Sequence, residues 1–475
     1  MDPAYNVIDS DGHILEPLNL WENYIDPAFR ERAPRLFIDE DGKERLRIDG
    51  KAFGGRKGLG ALGAVGARDG VVCDDTMTYN QGKKGGFDPH ARIPDMDADG
   101  IDAAFLYPSI GLSLGGVADP ELVHALYHAY NRWLADYCKP YPDRLFGVAM
   151  LPLHSVELTI QEMHFARKEL GMRAGFIRPN PYNNKMLHHP DYAPFWSAAE
   201  ELDMAIGIHE GSSLNMPTVG VDRFEGRGAQ HIISHTMEMM LACMSVIWGG
   251  VTERHPKLRI GFLESGGGWV APWLDRMNRH FDDQGFNDSG LKTRPSELFE
   301  RNCWISFEPV EGSIKVLADY IGPHKILWAT DYPHPDGFFP GAPKMMMQRL
   351  EGVSPETKHG VMAGGAMGFY GLNSRLETPR QAAVLSDHGL QADSPMLALT
   401  AGDAKSRQLP CASKGMHGRR TGGSAPGQDG YGSVFRCDRH RCQHFRFYQF
   451  YKLRKLELMV RVFDAGTSFG VGIGT

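Results

Sequence analysis

Short apolar, β-rich runs that end in polar residues recur along the first three quarters of the chain: Tyr5–Asp9, Asp102–Tyr107, Leu145–Leu151, Ala174–Arg178, Ala205–His209, Arg259–Leu263, Cys303–Phe307 and Ile326–Thr330. Segments of helical period separate most of them, predicting helices over 120–138, 156–170, 190–202, 235–254, 269–282, 312–320 and 340–350. Asp119-Pro120 gives the first of these a capping carboxylate followed by proline at the first helical position. Strand alternating with helix implies a parallel sheet, and near-continuous apolar strands imply burial on both faces. Eight repeats predict an α/β fold closed into a (β/α)₈ TIM-like barrel; an open doubly wound sheet is the competing architecture.

Two stretches break the rhythm. Between the first and second strands lies a long insertion with a hairpin-like run, 36–49, and a Gly-rich run, 54–70. Long loops after barrel strands shape the active-site mouth, so this one reads either as a lid or dimer contact or as an insertion without function. After Tyr370-Gly371-Leu372 the helical period fades and Ser, Gly, Gln and Pro accumulate. A boundary near 375 therefore divides a barrel domain, 1–375, from a basic tail, 376–475, expected to be poorly ordered. The tail is an accessory segment, a surface-binding arm, or sequence joined by a frameshift or fusion.

Composition narrows the class. Of 475 residues, 42% are hydrophobic and 23% charged, ordinary for a globular protein with a sizeable core. No run approaches the roughly 18 apolar residues of a spanning helix, and MDPAYNVIDSDGH lacks a charged-then-apolar leader, so a cytoplasmic enzyme without a membrane partner is predicted. Seven scattered cysteines read as reduced. The net charge of −7 divides into −13 for the body and +6 for the tail, and an acidic body argues against nucleic acid as main ligand. The Gly-rich runs lack phosphate-binding spacing, so neither ATP nor NAD is expected. Cys437, His440, Cys442 and His444 crowd too closely for the usual zinc fold.

Candidate chemistry sits at three strand ends. Asp9, Asp11 and His13 alternate, which places them on one face of an extended strand. His209 ends the fifth strand and Asp331 follows the eighth. In a barrel, side chains from distant sequence positions converge at the C-terminal strand ends. Asp11, His13, His209 and Asp331 thus read as ligands of one divalent cation with an open position for substrate or water.

In order and content these motifs resemble the amidohydrolase-related family, in its aminocarboxymuconate-semialdehyde decarboxylase branch. The resemblance spans roughly 5–372 through Asp11-Gly-His13, His209, the run Gly249 to Ile260, Gly266-Gly-Gly268 and Thr330-Asp331-Tyr-Pro-His334. It implies a distorted barrel, a single Zn²⁺ or Mn²⁺ (Fe²⁺ being a third candidate), a homodimer, and nonoxidative decarboxylation or hydrolysis of small acids. Asp11, His13, His209 and Asp331 match the family's metal ligands. One departure stands out: where the decarboxylases commonly carry a catalytic histidine before the glycines, this chain has Glu264.

Glu264 is therefore a candidate ligand or general base, and His235 a candidate for the missing imidazole or else a surface histidine. Arg178, ending the fourth strand, is a candidate partner for a substrate carboxylate or a salt bridge at the rim. His334 and Asp336 are candidates to support Asp331. The leading function is a metal-dependent carboxy-lyase acting on a small carboxylated, aromatic or unsaturated compound, with Asp331, Glu264 or His235 managing protons. Hydrolysis of an ester, lactone or amide by water activated at the cation is the alternative, and a non-catalytic binding module is a third reading.

Overall fold

A computed structural model describes residues 5–372, except 54–57, 65–76, 212–215 and 284. Eleven strands are present among them: β1 (Ile8–His13), β2 (Arg35–Ile38), β3 (Glu44–Ile48), β4 (Lys51–Phe53), β5 (Ala103–Tyr107), β6 (Leu145–Met150), β7 (Ala174–Ile177), β8 (Ala205–His209), β9 (Ile260–Leu263), β10 (Cys303–Phe307) and β11 (Ile326–Trp328). Eight of them form one sheet in the order β1-β5-β6-β7-β8-β9-β10-β11, every pair parallel. The sheet curls round on itself. Asp331 N donates to Asp11 O at 3.2 Å and His13 N to Tyr332 O at 2.6 Å, so the segment after β11 meets β1 and the (β/α)₈ barrel is nearly closed.

The antiparallel β2-β3-β4 sheet occupies the insertion after β1, with β2 and β3 as the hairpin read in 36–49. Most of the Gly-rich run and the whole of 376–475 fall outside the described residues. The barrel interior is filled by aromatic rings for which small residues leave room. Phe105 stacks on Tyr370 at 3.3 Å between ring centroids, and the Tyr107 and Tyr370 hydroxyls are 2.9 Å apart. A Cβ at Gly207 would lie 2.5 Å from the Tyr107 hydroxyl, and one at Gly261 2.6 Å from Phe369, so glycine is required at both places.

Strand ends differ from the sequence reading where polar side chains face the barrel. The apolar run ends at Asp9, yet the polar string Asp9-Ser10-Asp11-Gly12-His13 continues the strand to His13, because pairing with β5 satisfies its backbone. Pro120–Cys138 forms the expected helix, with Asp119 accepting from Glu121 N and Leu122 N. The helix expected over 235–254 begins earlier, at Arg227, and stops at Trp248, since Gly250 turns left-handed at φ 74°. The helices Pro89–Asp99 and Pro295–Asn302 were not foreseen.

A candidate metal centre at the barrel mouth

β1 carries an irregularity that sorts its carboxylates. Its register against β5 slips between Asp9 and Gly12, one extra residue on β1, so strict alternation is lost. Asp9 consequently leaves the expected ligand face. Its carboxylate instead accepts from Thr330 N at 3.0 Å and Thr330 Oγ1 at 2.6 Å, stapling β1 to the chain beyond β11. Gly12 makes room for this: a Cβ there would lie 2.6 Å from both the Asp9 carboxylate and the Arg92 guanidinium. Arg92 also donates to His13 O at 2.6 Å and lies over the Tyr332 ring.

The two histidines share one arrangement. His13 Nδ1 bonds Pro108 O at 2.7 Å and His209 Nδ1 bonds Glu210 O, so each ring donates to a backbone carbonyl and turns its Nε2 lone pair inward. Burial, reinforced by the neighbouring His334 and His209, holds His13 well below the usual imidazole range, which keeps it neutral. His209 Nε2 lies 3.3 Å from Asp11 Oδ1 and 3.2 Å from Glu264 Oε2, and His13 Nε2 lies 3.7 Å from Asp11 Oδ1 and 3.4 Å from Asp331 Oδ1. Asp11 Oδ1, His13 Nε2, His209 Nε2 and Glu264 Oε2 are all buried without a hydrogen-bond partner. Leaving such groups unsatisfied costs roughly 1–3 kcal/mol each. A cation among them would remove that cost, so the residues fit a metal ion.

The ligand atoms of Asp11, His13 and His209 lie within 4.8 Å of one another, as do those of His13, Asp331 and His334, and His13 joins the two sets. Asp331 is held by His334, whose Nδ1 is 2.7 Å from Asp331 Oδ1 and whose Nε2 is 2.8 Å from Ser109 Oγ. Ser109 Oγ donates to Ile14 O at 2.5 Å, so it accepts from His334. Burial pushes the Asp331 carboxyl up to about 6, opposed by the charge and hydrogen bond of His334. Burial alone would lower His334, but Asp331 beside it raises it overall. Sequence reasoning missed Ser109 and Arg92, which carry no signal apart from their place in the fold.

Glu264 directly follows β9 and faces both His209 and His235; its Oε1 is 3.7 Å from His235 Nε2. Burial and the nearby Asp331, Asp336 and Asp11 charges push its carboxyl well above the usual range. His235, on the helix Arg227–Trp248, bonds His231 O through Nδ1 at 3.1 Å, and burial with neighbouring His231 and His209 keeps it neutral. These groups border a cavity of about 480 Å³ that also meets Trp269, Phe307, Phe338, Glu308 and Asp336. Arg178 stands apart. Its guanidinium donates to Leu112 O, Asn180 Oδ1, Glu210 Oε2 and Gly211 O, and it does not border the cavity. Arg178 ties buried loops together, and among the described residues no Lys or Arg lines the cavity.

A nearly closed parallel barrel whose strand ends gather imidazoles and carboxylates around one opening is the arrangement in which barrel enzymes hold a catalytic metal. Residues 8–372 match the amidohydrolase family model, and the chain belongs to that family. The 2-amino-3-carboxymuconate-6-semialdehyde decarboxylase of Dictyostelium discoideum is 27% identical over 288 residues, covering 60% of this chain and 77% of the relative. A gamma-resorcylate decarboxylase of Rhodococcus jostii is 25% identical over 264 residues, covering 51% of this chain and 76% of the relative. Among solved structures, an amidohydrolase of Mycobacterium avium subsp. paratuberculosis superposes with a TM-score of 0.65 at 23% identity, covering 78% of this chain and all of the other. A dihydroxybenzoic acid decarboxylase of Polaromonas, solved with manganese and 2-nitroresorcinol, superposes at 0.53 and 17% identity over 78% of this chain and 98% of its own; these two likenesses bear on the fold.

Proposed function

We propose that the protein is a metal-dependent, nonoxidative decarboxylase of a small hydroxylated aromatic or unsaturated carboxylate, working with one Mn²⁺ or Zn²⁺. The observation that carries the reading is the set of four buried, unpartnered ligand atoms at Asp11, His13, His209 and Glu264. Asp11, His13 and His209 would hold the ion, with Asp331 reaching it from β11. Similarity to decarboxylases of carboxymuconate semialdehyde and of resorcylate supports the choice of chemistry. The bound ion supplies fixed positive charge for a substrate carboxylate and an adjacent oxygen.

The residues of the chain supply position and protons. Trp269, Phe307 and Phe338 give the cavity flat apolar surface for a ring. When the carbon–carboxylate bond breaks, its electron pair stays on the ring carbon, which then needs a proton. Asp331, hydrogen-bonded to His334, stands at the mouth where that proton would be delivered, with the imidazole as its source. His235, kept neutral with its Nδ1 on a carbonyl, turns a free Nε2 lone pair towards Glu264 and the cavity.

Exposed Met237 and Leu241, one turn apart on the helix Arg227–Trp248, support a homodimer. Among the described residues no helix is long and apolar enough to cross a membrane, which is consistent with a cytoplasmic enzyme.

Glu264 in place of an imidazole favours a second reading, hydrolysis, because a carboxylate beside neutral His235 can activate water. Purified enzyme loaded with Mn²⁺ and offered hydroxybenzoates and unsaturated acids in ¹⁸O-water separates the two. Carbon dioxide release without solvent oxygen in the product is expected; ¹⁸O-labelled acid without carbon dioxide would reverse the assignment.

A further inference from the structure

Beyond the first ligand set, the cavity holds another. The geometry points to a second divalent-cation site formed by His231, His235 and Glu264, with the Glu264 carboxylate bridging it to the first. The ligand atoms of these three residues lie within 4.8 Å of one another. His231 and His235 are one helical turn apart on the 22-residue helix Arg227–Trp248, and their rings stack at 3.8 Å and 22°, which brings both imidazoles to the same side.

His235 repeats the signature of His13 and His209. Its Nδ1 is taken by a backbone carbonyl, its side chain is 8% exposed, and its Nε2 faces a carboxylate oxygen at 3.7 Å, too far for a hydrogen bond. Glu264 divides its two oxygens between the centres, Oε2 to His209 at 3.2 Å and Oε1 to His235 at 3.7 Å. A carboxylate used in this way can span two ions about 3.5–4 Å apart. Asp336, whose Oδ2 is 3.7 Å from His231 Nε2, stands as a further oxygen on the solvent side.

Charge balance points the same way. Asp11, Glu264, Asp331 and Asp336 surround this mouth, and among the described residues no Lys or Arg borders it. One dication leaves that set net negative before a carboxylate substrate arrives. Imidazole and carboxylate donors together suit Mn²⁺ or Zn²⁺. The half-exposed His231 makes the second site the weaker and more exchangeable of the two.

The test is Mn²⁺ binding to the chelator-stripped full chain by equilibrium dialysis, with electron paramagnetic resonance on the same samples. Two Mn²⁺ per chain are expected, the second weaker and accompanied by a spin-coupled signal. His231→Ala and His235→Gln should each lose only the second equivalent, and His209→Ala should lose the first. One equivalent at saturation in the unaltered protein, or a second that persists in both the His231 and His235 variants, overturns the bridged pair and leaves the single-ion reading standing. Binding of no ion at all sinks both.

Discussion

Glu264 and Asp331 leave β9 and β11 in the same left-handed backbone conformation, with φ of 47° and 52°. Left-handed backbone costs a residue with a side chain roughly 1–2 kcal/mol, so the fold holds these two carboxylates at the mouth against both conformational and electrostatic preference. Stability and function should therefore oppose one another here. Glu264→Gln keeps the shape and removes the buried charge: the ion-free protein is expected to melt a few degrees higher, while kcat falls by about 10²–10⁴-fold. Thermal melting and turnover on the same preparation check this; full turnover with lower stability contradicts it.

Asp331 and Asp9 set a pH dependence. Burial pushes Asp331 up to about 6, and burial also pushes Asp9 up to about 6 against its bonds to Thr330. Because the folded pKa values are raised, the proton-linked stabilisation is complete below the ordinary carboxylate pKa of about 4 and is lost as pH climbs through about 6. A bound cation favours the ionised carboxylate. The gap in melting temperature between Mn²⁺-loaded and chelated protein should thus widen between about pH 4 and 6. A gap that does not change with pH in melts across that window would count against the ligand assignment of Asp331.

Asp9 joins the first and last barrel strands rather than touching the ion. Asp9→Ala removes two bonds to Thr330, at an expected loss of about 1–3 kcal/mol in urea denaturation. Gly12→Ala drives a Cβ to 2.6 Å from both partners and should cost about 1–3 kcal/mol. If Asp9 were instead an ion ligand, its loss would lower metal affinity in a protein of unchanged stability.

Arg178 gives a test of position against recognition. Arg178→Met leaves Glu210 buried without its cation and should destabilise by about 3–5 kcal/mol; adding Glu210→Gln should restore part of that. The rescued double variant is expected to keep a KM close to that of the unaltered enzyme. A large rise in KM that persists after rescue would return Arg178 to the substrate site.

Much of this was legible in the chain because buried parallel strands have to be apolar and barrel chemistry has to sit where they end. Ala205–His209 and Cys303–Phe307 were placed to the residue on that ground. What escaped notice depended on contacts between distant segments. The slip in β1 that diverts Asp9 to Thr330 has no local signature, since Asp9 and Asp11 look equivalent in an alternating string. For Arg178, substrate partner and salt bridge read alike from a strand end, and its neighbours Leu112, Glu210 and Gly211 come from other segments. His231 lies in a polar opening that masked the true start of its helix.

In the proposed enzyme, buried ligand atoms of three distant segments serve one ion. Anomalous X-ray diffraction at the manganese edge, from crystals grown with Mn²⁺, tests it most directly. A peak is expected about 2.0–2.3 Å from His13 Nε2, His209 Nε2 and Asp11 Oδ1, with Asp331 in reach. Crystals of Mn²⁺-saturated protein with no peak between His13 and His209 would contradict it.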